Sequence, residues 1–375
     1  MQTSQQLLKH YFGYDTFRYP QEEIIQSVLD GKDTLALLPT GGGKSVCFQI
    51  PALMKEGICI VVSPLIALMK DQVMQLKKRD IKAAAIFSGL SYSEIDIILD
   101  NCQFGYYKFL YVSPERLKTE IFIERFKRMN VNLIAVDEAH CVSQWGYDFR
   151  PPYLEIAEIK KFHPSVPIIA LTASATPTVQ NDITDKLQLK KATIFKKSFL
   201  RNNLSFVVRR EEAKYPKLLD IIQKLKGSGM VYVRNRNKTK DVAEYLTKNK
   251  INADFYHAGL STQERNAKQE NWINNKTQVI VCTNAFGMGI DKPNVRFVVH
   301  LDIPESLEAY YQEAGRAGRD GKLSYTVMLF TQSDIDYLWE KNIAKFPPMD
   351  VVKNIYNAVC NHLGIAVGSG KMLTY

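Results

Sequence analysis

Cysteine is scarce in this sequence, and its spacing argues against a zinc framework. The chain has 375 residues but six cysteines, and no two of them are separated by two residues, the spacing typical of structural zinc sites. Several lie inside apolar runs, so we expect reduced, mostly buried thiols in a protein of the cytosol. We therefore predict no zinc in this chain.

Long hydrophobic runs are also missing. The most apolar stretch, GICIVVSPLIALM, is too short to span a membrane and contains Ser63 and Pro64. The first residues, MQTSQQLLKHYFGYD, do not have the shape of a signal peptide. We expect no membrane partner.

Acidic residues are outnumbered. Lys and Arg total 49 against 39 Asp and Glu, a formal net charge of +10. This balance favours a polyanionic partner without proving one, since many basic proteins only have a solvated surface. The length suits two domains plus a remnant.

Short apolar runs alternate with helical patterns along most of the chain, for example ICIVVS and NLIAVD early and QVIVC and RFVVHL late. Such alternation is typical of parallel strands in βαβ units. After KKSFLRNNLSF the pattern starts again, which predicts an α/β fold of two tandem domains with parallel β-sheets flanked by helices. The predicted units are 1–200, 201–335 and a short helical C-terminal remnant, 336–375, which we expect to be the truncated start of an accessory region.

A glycine-rich turn lies between an apolar strand and a helix in LALLPTGGGKSVCFQIPAL. Glycines and a helix N-terminus let backbone N–H groups surround phosphate oxygens. In this arrangement Lys44 reaches the β- and γ-phosphates and Ser45 ligates Mg²⁺. Leu38 departs from the usual pattern, which has glycine there. The predicted phosphate-binding residues are Thr40, Gly41, Gly42, Gly43, Lys44 and Ser45.

Two acids follow a buried strand in NLIAVDEAH. Asp137, at the strand tip, is placed to hold Mg²⁺ directly or through water. Glu138 is suited to orient and deprotonate the water that attacks the γ-phosphate. Magnesium prefers oxygen ligands, so we expect His140 to hydrogen-bond to another motif.

The segment AYYQEAGRAGRDG places Arg316 and Arg319 at one predicted helix end, where residues three apart share a face. If this face meets the nucleotide of the first domain, either arginine can act as an arginine finger. The alternative is a solvated charged helix.

Large aromatic residues follow the acid pair in a polar loop, CVSQWGYDFRPPY. Trp145, Tyr147 and Phe149 lie here together with Arg150. Aromatics in such a loop indicate a flat ligand. The alternative is that they fill a crevice between the two domains.

Taken together, these motifs resemble those of superfamily 2 helicases, and within them the RecQ family of DNA helicases. The resemblance covers nearly all of residues 6–335, and the motifs occur in the order of the family. The block after DEAH is the specific one, because it looks like the aromatic-rich loop of RecQ helicases. The motifs are FGYDTFRYPQ, PTGGGKS, VSPLIALMKDQV, YVSPERL, DEAHCVSQWGYDFRP, ALTASAT, VYVRNR, YHAGL, FGMGIDKPNVRFVVH and YYQEAGRAGRDG.

The resemblance implies two RecA-like domains with ATP and Mg²⁺ in the cleft and single-stranded DNA across both. It implies that Tyr14 and Arg18 sandwich the adenine, that Gln21 hydrogen-bonds its edge and that Asp291 belongs to the nucleotide site. It implies 3′ to 5′ translocation on DNA with a 3′ overhang, in recombination and repair. We expect a monomer in the cytoplasm, associated with the nucleoid.

In this interpretation the acids act on ATP, and Trp145, Phe149 and Arg150 sense DNA and couple its binding to hydrolysis. Further DNA contacts are expected at strand tips and the loops after them, where hydroxyl and basic groups grip the backbone. These candidates are Ser63, Lys70, Ser113, Arg116, Arg234, Arg236, His257, Thr283 and Met288.

The sequence departs from the family at several points. Tyr147 stands where His is usual, LTASAT replaces LTATA, and Arg234 stands where Asn is more common. The expected cysteine-rich segment is represented by Cys360 alone, so the chain is either of a zinc-less branch or cut before its accessory domains. No winged-helix region follows, which leaves efficient unwinding by this chain open.

Two other functions remain open from the sequence. An RNA helicase or duplex translocase has the same motor, and nothing here clearly reads a 2′-hydroxyl. A nucleic-acid clamp without catalysis is disfavoured, because Lys44, Asp137, Glu138 and Arg319 are all present.

Overall fold

The computed structural model describes residues 2–144, 149–173, 175–286 and 292–366. Its residues form a seven-stranded and a six-stranded sheet, whose paired strands all run parallel. This confirms the prediction of two parallel sheets flanked by helices.

The first sheet has the strand order β3-β4-β2-β5-β6-β1-β7. Its strands are β1 (Thr34–Leu37), β2 (Ile58–Val62), β3 (Ala83–Ile86), β4 (Phe109–Val112), β5 (Val131–Val136), β6 (Ile168–Thr172) and β7 (Thr193–Lys196). The accompanying helices are α1 (Ser4–Leu7), α2 (Gln21–Leu29), α3 (Lys44–Met54), α4 (Ile66–Lys77), α5 (Tyr92–Gln103), α6 (Glu120–Phe126), α7 (Glu155–Lys160) and α8 (Pro177–Lys186).

The second sheet has the order β10-β11-β9-β12-β13-β8. Its strands are β8 (Leu204–Arg210), β9 (Ser228–Tyr232), β10 (Ala253–Tyr256), β11 (Val279–Cys282), β12 (Val295–His300) and β13 (Ser324–Phe330). The remaining helices are α9 (Lys214–Leu225), α10 (Arg236–Lys248), α11 (Thr262–Ile273), α12 (Leu307–Ala314), α13 (Gln332–Lys345) and α14 (Met349–Leu363). The last two helices confirm the predicted helical C-terminal part.

Most strands of the first sheet supply residues to two core layers. Leu35 and Leu37 pack on one face of β1, while Ala36 and Leu38 pack on the other. Successive strand residues point to opposite faces, so a strand covered on both faces is apolar throughout. This is why the unbroken apolar runs of the sequence correspond to strands.

Two strands, β7 and β8, lie outside the predicted apolar runs. Alternate residues of β7 are partly exposed, and most of β8 is exposed because it forms the edge of its sheet. Both strands flank the chain crossover, where β7 ends at Lys196 and β8 begins at Leu204.

All six cysteines are buried, as predicted. Among the described residues, no helix combines the length and the hydropathy needed to cross a membrane.

A buried ion pair organises the start of β1. Asp33, which is 5% exposed, accepts hydrogen bonds from the backbone N–H groups of Ile168 (2.7 Å) and Lys190 (2.8 Å) and from the ammonium of Lys160 (3.3 Å). Burial lowers the pKa of Lys160, and the carboxylate of Asp33 opposes that shift. One carboxylate therefore satisfies groups from three segments.

We expect Asp33→Ala to destabilise the first domain by about 3–5 kcal/mol, because it leaves a buried ammonium and two backbone donors without their acceptor. Urea unfolding followed by fluorescence measures this loss. The control is Asp30→Ala, whose ion pair with Lys32 is exposed and should contribute little to stability. Equal midpoints for the two variants would contradict the assignment.

Candidate functional site

The site begins where three neighbouring strands end. β5, β6 and β1 are adjacent in the first sheet and parallel, so their carboxyl ends meet at one edge. That edge carries the acid pair after β5, Thr172 at the end of β6, and the glycine-rich turn after β1. Residues far apart in sequence are thereby brought together.

The glycine-rich turn has the backbone conformation that its composition predicts. Gly41 and Gly43 have φ values of +78° and +75°, in the left-handed region that favours glycine, and α3 begins directly at Lys44. Leu38 is fully buried and its N–H donates to the carbonyl of Thr172 (3.1 Å). It thus belongs to the core, and a glycine there is not required for the turn.

Gln21 connects the turn to the segment before α2. Its side-chain Nε2 donates to the carbonyls of Gly42 (3.3 Å) and Gly43 (3.1 Å), and its Oε1 accepts the N–H of Arg18 (2.8 Å). Arg18 Nη1 also donates to the carbonyl of Gly41 (3.2 Å). The predicted base-binding residues are therefore tied directly to the predicted phosphate-binding residues.

Tyr14 lies beside this segment, with 54% of its surface exposed. The guanidinium carbon of Arg18 is 6.0 Å from the centre of its ring. Both side chains are exposed, so a flat group can reach them from the solvent side.

The acid pair faces Lys44. Glu138 has a left-handed backbone, with φ +48°, and its Oε1 lies 3.9 Å from the ammonium of Lys44. Burial alone would raise the pKa of Glu138, but the charges of Lys44, His140 and Arg316 hold it below its ordinary value. Burial, followed by the nearby charge of Glu138, raises the pKa of Asp137 to about 7.

His140 bonds to another motif, which confirms its prediction. Its Nδ1 lies 2.9 Å from Oγ1 of Thr172, the last residue of β6 and part of ALTASAT. The same nitrogen is 3.4 Å from Oε2 of Glu138. His140 therefore links the acid pair to the neighbouring strand end.

Two further contacts of this edge are not foreseen from the sequence. The hydroxyl of Tyr153 donates to the carbonyl of Asp137 (2.9 Å), and Ser143 Oγ donates to Asp182 (2.6 Å). The partners are 16 and 39 residues apart in the chain, so no local pattern signals them. Both contacts brace the segment that follows the acids.

Arg316 and Arg319 lie in a turn, and the prediction of a helix end is wrong for them. α12 ends at Ala314, because the chain turns through Gly315–Asp320. The i, i+3 argument therefore does not apply. The nearby acids are engaged elsewhere: Glu313 is 2.8 Å from His300, and Asp320 is 2.6 Å from Arg296.

This turn nevertheless reaches the first domain. A Cβ atom on Gly41 would lie 3.3 Å from Cγ of Arg319, and one on Gly315 would lie 3.5 Å from Cβ of Thr40. Arg316 is close enough to influence Glu138 electrostatically. The structure thus brings the two arginines to the glycine-rich turn and the acid pair.

The aromatic-rich stretch is partly described. Phe149 has the ammonium of Lys186 at 5.9 Å from its ring centre, and Arg150 donates to the carbonyl of Pro64 (3.1 Å). The predicted site residues Trp145, Met288 and Asp291, together with Tyr147, lie outside the described residues.

The first-domain candidates for DNA contact gather near the ends of β2 and β4. Ser63 and Ser113 are buried, and neither hydroxyl has a hydrogen-bond partner. Lys70, on α4, has its ammonium 4.5 Å from the ring centre of Phe87, and Arg116 reaches the carbonyl of that residue (3.5 Å). Buried hydroxyls without partners suit a ligand that supplies the missing bonds.

The second-domain candidates follow β9, β10 and β11. Arg234 stacks on Tyr337, with 3.7 Å between its guanidinium carbon and the ring centre. Arg236 starts α10, His257 follows β10 with a buried Nδ1 that has no partner, and Thr283 follows β11. These positions also share one edge of their sheet, because the strands are parallel and adjacent.

The residues present fit a divalent cation. Asp137 and Glu138 are buried side by side, and Oε2 of Glu138 has no hydrogen-bond partner. Burial, and then the charge of Glu138, raises the pKa of Asp137, so a cation beside Ser45 and Asp137 would stabilise the buried carboxylates. Among the described residues, no group of three or more His, Cys, Asp or Glu side chains is arranged to hold a metal by itself.

Comparison with known proteins agrees with this arrangement. Residues 18–183 match the DEAD/DEAH box helicase family, and residues 213–321 match the helicase conserved C-terminal domain. The solved structure of Dbp5 from S. cerevisiae is 18% identical, with a TM-score of 0.69 over 95% of this chain and 96% of its own. The fold and the strand-edge site define a helicase core of two tandem RecA-like domains.

Two curated relatives narrow this class. The chain is 47% identical to the ATP-dependent DNA helicase RecQ of Bacillus subtilis, over 88% of the chain and 57% of the relative. It is 43% identical to the probable ATP-dependent DNA helicase RecS of the same organism, over 88% of the chain and 68% of the relative. The chain belongs to the RecQ family of helicases. It spans between half and about two thirds of the length of these relatives.

We expect Gly43→Ala to destabilise the glycine-rich turn by more than the backbone strain at this position would. Its Cβ would lie 2.3 Å from Nε2 of Gln21, in addition to a left-handed φ that costs about 1–2 kcal/mol. Amide exchange of residues 38–46 should become faster, as measured by mass spectrometry.

Gly31→Ala is the matched control, because Gly31 has φ +76° and nothing within 4 Å of an added Cβ. It should lose about 1 kcal/mol of stability without changing exchange in the turn. The proposed role of Gln21 is wrong if both variants leave exchange of residues 38–46 unchanged.

Proposed function

We propose that the protein is an ATP-dependent 3′ to 5′ DNA helicase or translocase of RecQ type, acting in recombination and repair. The observation that carries the proposal is that Lys44, the acid pair and the turn of residues 315–319, called here the arginine turn, meet at one cleft between the two sheets. Hydrolysis then depends on how the two domains are closed. The names of the RecQ and RecS relatives support ATP and DNA as its substrates.

The nucleotide is held from both ends. Tyr14 and Arg18 take the base between them, and the glycine-rich turn presents N–H groups and the start of α3 to the phosphates. Lys44 neutralises the charge that grows on the terminal phosphates. Ser45 and Asp137 would hold Mg²⁺, which would supply Lewis-acid stabilisation of the transferred phosphoryl group. Asp291 is proposed as a further residue of this site.

Glu138 is the proposed general base. It takes a proton from water as the water oxygen attacks the γ-phosphorus, and the bond from phosphorus to the β,γ-bridging oxygen breaks. Its depressed pKa keeps it ionised, and thus able to accept that proton, at neutral pH. Arg316 and Arg319 reach the same phosphate from the second domain and stabilise its charge in the transition state.

DNA is proposed to cross the strand ends of both sheets. The hydroxyls of Ser63 and Ser113 and Nδ1 of His257 are buried without a hydrogen-bond partner among the described residues, and they are proposed as groups whose missing bonds bound DNA would supply. Arg150 ties the aromatic-rich stretch to the loop after β2 through the carbonyl of Pro64. DNA bound at that loop would therefore be next to the stretch that follows Glu138 in the chain. This supports the coupling role proposed for Trp145 and Phe149.

Finer points of the function remain proposals. A 3′ overhang as the preferred loading site, action as a monomer and association with the nucleoid follow from the family resemblance. Whether this chain separates duplex DNA without the further length of its relatives is decided by an unwinding assay.

Single-stranded DNA should stimulate phosphate release by this protein at least about 10-fold, while RNA of the same sequence should stimulate it less. Lys44→Ala should abolish release, because the growing phosphate charge loses its counter-ion. Lys127→Ala, at an exposed ion pair with Glu124, is the control and should behave as the parent. Stimulation by RNA at or above the DNA level would favour an RNA helicase, and unchanged release by Lys44→Ala would exclude the site.

Glu138→Gln should bind nucleotide with near-parental affinity and lower kcat on the order of 10²-fold or more, since the amide keeps the shape and loses the base. Fluorescent-nucleotide titration and phosphate release separate the two effects. Glu158→Gln, at an exposed pair with Lys161, is the control. Turnover equal to that of the parent would move the base to another residue.

A further inference from the structure

The covalent crossover between the two domains is very short. The N–H of Lys197 still donates to the carbonyl of Leu37 (3.0 Å), at the end of β1. The carbonyl of Phe199 already accepts the hydroxyl of Tyr311, on α12 of the second domain. Ser198 therefore lies between the hydrogen bond of Lys197 to the first domain and that of Phe199 to the second.

The chain then contacts the arginine turn, residues 315–319. Arg201 Nη1 donates to the carbonyl of Gly315 (3.3 Å), and its Nη2 donates to the carbonyls of Ala317 (3.0 Å) and Gly318 (2.6 Å). Its Nε donates to Oδ1 of Asn203 (3.3 Å). One guanidinium thus holds three carbonyls of the turn that carries Arg316 and Arg319.

Asn203 completes this clamp. Its Nδ2 donates to the carbonyls of Gly318 (2.7 Å) and Lys322 (3.0 Å). Gly318 has φ +60°, and a Cβ there would lie 2.6 Å from Nδ2 of Asn203. The turn and the crossover segment are fitted together without room for another atom.

The carbonyls of Gly315 and Ala317 lie just beyond α12, where no further helical N–H groups follow to bond them. A guanidinium offers five N–H donors in a rigid fork, whereas an ammonium is a point charge on a flexible stem. Arginine at this position can satisfy three carbonyls and Asn203 together, and lysine cannot.

We infer that Arg201 is a positioning residue for the arginine turn, so that the crossover segment sets where Arg316 and Arg319 meet the cleft. The inference rests on the proposed function, because it concerns the arginines of the same site. The crossover leaves the first domain beside Leu37, three residues before Thr40, and the turn returns to Thr40 and Gly41. The crossover segment, the arginine turn and the glycine-rich turn are therefore connected to one another by direct contacts.

The test is Arg201→Lys, with Arg209→Lys as the matched control on β8. Arg209 is an exposed arginine whose pair with Glu211 measures 3.5 Å, and it touches no part of the turn. In Arg201→Lys we expect kcat for DNA-stimulated phosphate release to fall at least about 10-fold, since small displacements of a catalytic group are costly. The KM for ATP and the thermal midpoint should stay close to the parent, and Arg209→Lys should match the parent throughout.

Amide exchange gives a readout that does not depend on activity. Residues 312–322 should exchange faster in Arg201→Lys, and in Asn203→Ala, which opens the clamp from its other side. Residues 41–48 should be unchanged. Unchanged exchange in residues 312–322 in both variants would refute the clamp.

A double-mutant cycle separates positioning from general structure. In a background with both Arg316→Ala and Arg319→Ala, Arg201→Lys should lower kcat by less than about 2-fold, because the groups it positions are gone. An undiminished loss in that background would show that Arg201 does not act through the turn. If the two alanine substitutions together leave kcat unchanged, the proposed function fails, and the exchange result still decides the clamp.

Discussion

The parallel pairing of β1, β6 and β5 is the constraint on which the site depends. Because these strands run in one direction, their carboxyl ends present loops at a single edge, and the glycine-rich turn, the acid pair and Thr172 meet there. The N–H of Leu38 bonding to Thr172, and His140 bonding to the hydroxyl of the same residue, tie the three strand ends into one unit. A change in register of any strand would separate the glycine-rich turn from the acids.

Charge balance imposes the second requirement. Buried carboxylates are costly unless cations lie near, and in the described part of the first domain the ammonium of Lys44 lies 3.9 Å from Glu138. Arg316 adds a cation from the second domain. The acids of the first domain are thus electrostatically incomplete without its neighbour, which gives a physical reason for a catalytic cleft between domains.

Much of the fold could be predicted because the strands are buried on both faces. Runs such as Ile58–Val62 and Val131–Val136 are apolar at every position, and both are strands. β7 and β8 are not predicted from apolar runs, because they lie at sheet edges. Burial alternates along β7, and most residues of β8 are exposed. The arginine pair was assigned to a helix because glycines at 315 and 318 do not by themselves show where a helix stops.

The site is only partly accessible from sequence for a different reason. Motifs specify which groups take part, and the positions of Lys44, Glu138 and the arginine turn follow from the motifs together with strand order. Contacts such as Arg201 to Gly318 join residues 117 apart, and neither partner has an unusual local pattern. Their pairing is decided by tertiary packing, which no periodicity encodes.

The hydrogen bonds of Gln21 have a consequence for which base the protein accepts. The amide nitrogen of Gln21 donates to the carbonyls of Gly42 and Gly43, so the amide cannot rotate without losing these bonds to the turn. If Gln21 binds the base as proposed, what remains for the base is the second lone pair of Oε1, beside the N–H of Arg18. A purine edge that presents an amino group meets an acceptor there, while one that presents a carbonyl meets another oxygen. Discrimination between adenine and guanine would then be imposed by the phosphate loop, through the orientation in which it locks one amide.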